Sequence, residues 1–198
     1  MDSSTLIAVI TFATVTAFTP GPNNLMLAAS GANFGFRRSL PHILGIWVGF
    51  MSMFLAASFG LASLFALLPA LYSILKVLSI MFLLYLAWRI ATAGRAESKE
   101  KDKPLQLWQA ALFQVVNPKG VSVIISTISA YTSGAMNVAS EITPLAFIFF
   151  CTTVSATTSW CLFGTAIARI FTTRRRLRIF NVSMAILLVL SLIPIILD

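Results

Sequence analysis

Thr19-Pro20-Gly21-Pro22-Asn23-Asn24 stands inside an apolar run that begins at Thr5 and resumes with Leu25 to Ala29. Two prolines remove backbone donors and the glycine between them adds freedom, so a regular helix cannot pass through this stretch. The pattern recurs at Val116-Asn117-Pro118-Lys119-Gly120, again with apolar residues on both sides. Both breaks therefore fall within a hydrophobic run rather than at its edge.

The runs around them settle the solvent. Of 198 residues, 58% are hydrophobic and 10% charged, against about 45–50% apolar and 25% charged in soluble domains. Apolar stretches approach the roughly 20 residues a helix needs to cross a bilayer. They read as spans near 5–33, 41–66, 70–91, 106–132, 144–168 and 178–196, an all-α integral membrane protein of six transmembrane helices forming one domain over 1–198. No lysine or arginine precedes Arg37, so the first run lacks the cationic segment of a cleavable signal peptide and is read as a retained helix.

Numbering the joints alternately sorts the charges. Arg37 and Arg38 lie in the first joint, Arg89, Arg95, Lys99, Lys101 and Lys103 around the third, and Arg169, Arg174, Arg175, Arg176 and Arg178 around the fifth. These are twelve of the fourteen lysines and arginines, while the other side carries Asp2, Glu141 and Asp198. The positive-inside rule places the basic joints in the cytoplasm and both termini outside. The net charge of +8 thus reflects topology and attraction to anionic lipid, not nucleic-acid binding. Trp88 and Trp108 flank the central charged loop as an aromatic belt would. That loop, 94–104, separates halves at about 1–93 and 105–198. Two halves of three spans each must face the membrane in opposite senses, the arrangement of an inverted repeat, and each half begins with a broken helix.

Paired interruptions at corresponding places point to a transport site. Irregular backbone at membrane depth must be buried in protein or line a wet cavity. The restarted half-helices present N-terminal N–H groups with partial positive charge, which suit a carboxylate. The bland alternative is that the prolines only kink the helices. Pro20, Gly21, Pro22, Asn23 and Asn24 from the first break, with Asn117, Pro118 and Lys119 from the second, are the candidate binding and translocation residues. A lysine in mid-span costs roughly 2.5–3.5 kcal/mol, and no carboxylate lies within a predicted span. The partner of Lys119 is then a bound carboxylate or the carbonyls at the end of a half-helix. Lys76, about two turns into the third span, is a weaker candidate that could snorkel to the interface.

Ser122, Ser126, Ser129 and Ser133 follow Lys119 at helical spacing, so their face is expected to point into the bundle; Ser122 and Ser126 join the site candidates, with packing as the equal alternative. Gly45, Gly49, Ser52, Ala56 and Gly60 form a stripe read as helix packing. The hydroxyls from Thr152 to Ser159 spread around span five and are expected to bond back to their own helix. His42, the only histidine, lies near the basic-side end of span two and reads as structural, with proton coupling as its alternative. Cys151 and Cys161 are ten residues apart in one span, about 15 Å on a helix, too far for a disulfide. Neither belongs to a group of metal-ligand spacing, so no metal and no cofactor is expected.

Pro20-Gly21-Pro22-Asn23, the glycine-bearing second span, the basic central loop and Asn117-Pro118-Lys119 resemble the LysE/RhtB family of amino-acid exporters across essentially the whole chain. The resemblance implies a LysE-type translocator of the bacterial cytoplasmic membrane that exports amino acids or close derivatives, driven by the membrane potential or the proton gradient, and is not an enzyme. One departure is Ser79 and Ala87, where similar proteins often carry glycine, which loosens the assignment of Lys76. The mechanism expected is alternating access, with half-helix N-termini and Lys119 holding the solute's carboxylate while asparagines and freed carbonyls meet its ammonium. The partners are a small amino-acid solute and membrane lipid, and a homo-oligomer is admissible. The rival classes are a membrane thiol-electron relay, which needs a redox cysteine pair brought together across the bundle, and a metal-ion efflux protein, which needs converging ligands. An intramembrane hydrolase would have to draw its base from His42 or from a lysine.

Overall fold

The computed structural model describes residues 1–61, 69–93, 103–132, 138–171, 173–193 and 196. Most of the central charged loop, Ser133 and Asp198 lie outside these. Among the described residues the regular elements are all helices: α1 Ser3–Phe18, α2 Pro22–Ala56, α3 Pro69–Thr92, α4 Leu107–Val116, α5 Pro118–Tyr131, α6 Val138–Ile170 and α7 Arg174–Leu190, with a π-helical turn Ala57–Leu61 after α2. Pro22–Phe59 and Ser140–Ile170 are long and apolar enough to cross a membrane, and α4 with α5 makes a third such segment, bent by 62°.

Both expected breaks are present. α1 ends at Phe18 and α2 restarts at Pro22, and Asn117 alone separates α4 from α5. The expected gap between the first two spans is narrower than the sequence suggested, because helix runs up to either side of a single non-helical residue, at which the chain reverses. Gly35 has φ 78° and ψ 166°, a conformation that only glycine adopts without strain. The residues on either side show that this is a reversal. Asn24 and Phe50 line one cavity, yet would be about 39 Å apart on a straight helix. α2 is thus two arms folded against each other, with Pro41 inside the second arm rather than at its start. In the same way α6 begins at Val138 and carries Pro144 within it.

Small residues let these elements meet backbone to backbone. A Cβ on Gly31 would lie 2.1 Å from the Cys161 carbonyl oxygen, and one on Gly164 would lie 1.9 Å from that of Ala28. The first arm of α2 and α6 are therefore locked together in both directions. Gly45 and Gly49 similarly face Leu107 and Ala111 of α4, at 2.3 and 2.5 Å to the carbonyl oxygens, which bears out a packing role for that part of the stripe. Ser52, from the same stripe, is exposed.

Two apolar clusters result. One joins α2, α3, α4, α6 and α7 around Leu27, Ile43, Leu83 and Leu188. The other gathers Val9 and Ala13 with Phe50, Phe54, Leu145 and Phe149. Outside them the bundle shows large apolar side chains, including Met81, Trp88, Phe147 and Ile186, each more than half exposed, as a lipid-facing surface requires. Described residues beside the three basic joints meet. Asn33 and Asn181 exchange amide hydrogen bonds of 2.8 and 2.9 Å, and Asn181 also donates to the Ala93 carbonyl at 3.5 Å. That draws together the chain beside Arg37, the end of α3 and the start of α7, whose Arg37, Arg38 and Arg174 to Arg176 are exposed.

Candidate functional site

Breaking a helix releases carbonyls from the half that ends and N–H groups from the half that begins. In the first break every terminal carbonyl of α1 from Ala17 onward has a donor. Asn24 Nδ2 donates to Ala17 O and Thr19 O at 2.8 and 2.9 Å. Trp160 Nε1 donates to Phe18 O at 3.3 Å, and Lys119 Nζ donates to Thr19 O at 2.8 Å. In the second break the Val116 carbonyl receives the Ser79 hydroxyl. The serine that departs from the expected glycine thus closes the end of α4.

The N–H groups are treated differently. α2 and α5 each start with proline, and neither start has a side-chain cap. Their first bonds are made by Leu25 to Gly21 O and Val121 to Asn117 O. This leaves the N–H groups of Asn23, Asn24, Lys119 and Gly120 ahead of the first intrahelical bond. All four residues line one cavity between the breaks, together with Gly21, Pro22 and Asn117. With its open mouth, solvent space included, the cavity holds about 570 Å³ free of atoms. Two positive helix ends and an ammonium converge on it.

Lys119 is half-buried and spans the two breaks, lying over Gly21, where an added Cβ would be 2.8 Å from Lys119 Cδ. Of the two partners the sequence offered for it, the structure holds the half-helix carbonyl. Its ammonium has three N–H groups. Asn117 is 3% exposed; its Nδ2 donates to Gln114 Oε1 at 3.3 Å, while its Oδ1 is buried without a donor. A buried acceptor left unpaired costs about 1–3 kcal/mol.

Of the sequence candidates, Gly21, Pro22, Asn23, Asn24, Asn117 and Lys119 meet at this cavity. Pro20 and Pro118 shape the breaks without lining it, and Lys76 is half-buried on α3, away from it. Ser122, Ser126 and Ser129 are exposed. This corrects the expectation that their face points inward, because α5 buries Gly120, Ile124 and Thr127 instead. The apolar Ile124 and its neighbours on that face find the core, and the serines take the opposite side.

Several residues in or beside the cavity wall escaped the sequence reading. Gln114 is 1% exposed and exchanges amide hydrogen bonds with Asn23, at 2.8 and 3.2 Å, tying the half-helix before one break to the half-helix after the other. Its place three residues before Asn117, on the same helical face, was the available signal. Thr16, Thr153 and Thr157 line the wall with Phe50, Val123 and Phe149. The hydroxyls of Thr152, Ser155 and Thr157 do bond back to their own helix, as expected. Thr157 also accepts from Trp47 Nε1 at 2.8 Å. Thr153 and Thr157 are one turn apart, as are Ser155 and Ser159, so spacing alone did not single them out. Cys151 is exposed and Cys161 buried, both free.

Known proteins resemble this chain over nearly its whole length. A cysteine/O-acetylserine efflux protein of Salmonella paratyphi A (strain ATCC 9150 / SARB42) is 29% identical over 189 residues, covering 96% of this chain and 96% of that protein. The cysteine/O-acetylserine efflux protein of Escherichia coli (strain K12) matches with the same identity and coverage. No solved structure matches. The family model described as LysE type translocator matches residues 14–192, a stretch that contains both breaks, and the chain belongs to that family.

Proposed function

We propose that this protein exports small amino acids or their derivatives across a bacterial cytoplasmic membrane by alternating access, with the cavity between the two breaks as its solute site. The observation that carries the reading is that four uncapped helix-start N–H groups, the Lys119 ammonium and the unpaired Asn117 Oδ1 all belong to residues lining one cavity. A zwitterionic amino acid matches this set. Its carboxylate takes the N–H groups and the spare donors of Lys119, and its ammonium donates to Asn117 Oδ1. Phe50 and Phe149, with ring centroids 6.3 Å apart, limit the side chain to a small one, and Thr16, Thr153 and Thr157 offer it hydroxyls. Cysteine and O-acetylserine, which name the relatives' cargo, fit these limits.

In this reading α1 with the first arm of α2 is one broken span and α4 with α5 its counterpart in an inverted second half. That gives six spans, basic joints in the cytoplasm and both termini outside. The reversal at Gly35 and the gathering of basic joints around Asn33 and Asn181 support it. Lys119 holds the breaks together through Thr19 O. A solute that draws its ammonium away loosens that tie, which gives the solute a means of changing the relation of the two halves.

The test is net efflux of preloaded amino acids, L-cysteine and O-acetyl-L-serine included, from cells expressing the protein. Loss of one group faster than from empty cells is expected. Lys119→Ala should slow it about tenfold to a hundredfold, the size of one charge-assisted contact. Loss equal to empty cells for every solute would overturn the exporter reading, and an unchanged rate in Lys119→Ala would overturn the role of Lys119 alone.

A further inference from the structure

A second cavity lies at the basic end of the bundle, holding about 490 Å³ of free space with its mouth. Ser30 and Asn33 from the first arm of α2, His42 from the second, Arg89 of α3 and Lys103 line it. Ser30 and Asn33 have partners: the Ser30 hydroxyl pairs with that of Ser39 at 2.8 Å, and Asn33 with Asn181. His42 does not. It is 2% exposed, and neither ring nitrogen has a hydrogen-bond partner. A neutral imidazole carries one donor and one acceptor, and burying both unpaired is among the costlier arrangements in a protein interior. A packing role would be served better by leucine. The residue thus lines the cavity with a donor and an acceptor still to be paired.

The two cavities are consecutive along the same pair of helix arms. Asn24 and Ile46 line the one between the breaks, and Met26 and His42 line the other. Along each arm the step is two to four residues, roughly 3–6 Å. Leu25 and Ile43, 2% and 1% exposed, occupy the levels between. Arg89 is the cation nearest in kind to a carboxylate fork. It lies over Tyr85, 6.0 Å from the ring centroid, and spends one donor on the Lys103 carbonyl at 3.3 Å.

We infer that this second cavity is an inner way-station for the exported solute, a site for zwitterionic amino acids in which Arg89 and Lys103 attract the carboxylate and the His42 ring supplies a donor and an acceptor. It rests on the export reading above and adds a second binding step on the basic side, before the apolar level of Leu25 and Ile43. Solute bound there would be held ready while the cavity between the breaks empties to the other side.

Because the chain has one histidine, isotope-labelled histidine reports on this site alone. The measurement is the imidazole resonance of the full chain in lipid nanodiscs at constant pH during titration with L-serine. A saturable shift is expected in the wild type and equally in Lys119→Ala, whose first cavity is disabled. In Arg89→Gln the midpoint should move about tenfold higher, the loss of one charge-assisted contact. No shift in a wild type that exports amino acids would overturn the inner site and leave the exporter reading standing. A shift that vanishes in Lys119→Ala would be relayed from the first cavity and would also overturn it. Absence of export of any amino acid would instead overturn the reading on which it rests.

Discussion

The two breaks interrupt helices with the same residue types and use them for opposite purposes. The first spends its side chains on its own backbone: Asn24 closes Ala17 O and Thr19 O. The second leaves Asn117 Oδ1 unpaired and sends Lys119 across to the first, at 2.8 Å from Thr19 O. One break is a finished acceptor surface and the other carries the groups that can exchange partners. The difference teaches that a helix break in a membrane protein has two separate requirements, closure of its carbonyls and presentation of its N–H groups. An asparagine can serve either one, depending on whether it sits after the break or within it.

The comparison fails altogether if the scaffold holding the breaks together fails, and that is the largest effect expected. Gly164 faces Ala28 at a distance no Cβ tolerates, and the opposing atom is backbone that cannot move aside. Gly164→Val should force α6 off the first arm of α2, costing more than the usual 1–3 kcal/mol of overpacking. Little folded protein should be recovered from membranes by size-exclusion chromatography in detergent. Recovery at the wild-type level would show that the two helices are not in backbone contact.

A sharper test compares the asparagines. Asn24→Ala leaves the Ala17 carbonyl without its donor and Thr19 O with Lys119 alone, and should destabilise the chain by about 1–3 kcal/mol, read as a lower thermal midpoint in detergent. Export by the folded fraction should persist. Asn117→Ala removes an acceptor that has no partner, and a weak bond to Gln114, so the thermal midpoint should stay within about 1 kcal/mol of wild type. Its apparent affinity for exported solute should fall about tenfold, the value of one hydrogen bond to a charged group. If both variants lose stability alike, the two breaks do the same work and the contrast is wrong.

The breaks themselves were legible because proline and glycine act locally. Two prolines around Gly21, and Asn117-Pro118-Lys119 in an apolar run, leave a helix no regular path whatever packs against it. The lysine that must find a partner was legible for the same reason, from the cost of a charge at depth. Features that depend on which neighbour arrives were not. The serine stripe of α5 has the right spacing for an inward face, but the apolar face with Ile124 competes for the same core and takes it. The reversal at Gly35 carries no proline, and Pro41, a stronger punctuation mark in sequence, turns out to lie within the helix. Gln114 becomes a bridge between the breaks only because Asn23 comes to face it across 91 residues of chain.

The smallest effect expected concerns the far end of the helix that supplies the acceptor surface. Asp2 caps α1, accepting from the Thr5 N–H at 3.0 Å and the Ser4 hydroxyl at 2.8 Å. Hydrogen bonds, chiefly from the Thr5 side chain and then from Ser4, lower its carboxyl from 3.8 to about 2. A carboxyl lowered in the folded state adds stability that is fully present above its unfolded value and is lost as pH falls through the folded one. The cap should therefore be intact at and above pH 3.8 and released as the pH approaches 2. The Thr5 amide chemical shift, followed by NMR as pH is lowered, should turn with a midpoint near 2 and should be flat in Asp2→Asn. Because the cap lies at the opposite end of α1 from Thr19 O, Asp2→Asn should leave export at neutral pH unchanged within about twofold, a factor worth under half a kcal/mol. A larger loss would mean that α1 transmits strain along its whole length to the carbonyl that holds Lys119, and that the first break is less finished than its hydrogen bonds suggest.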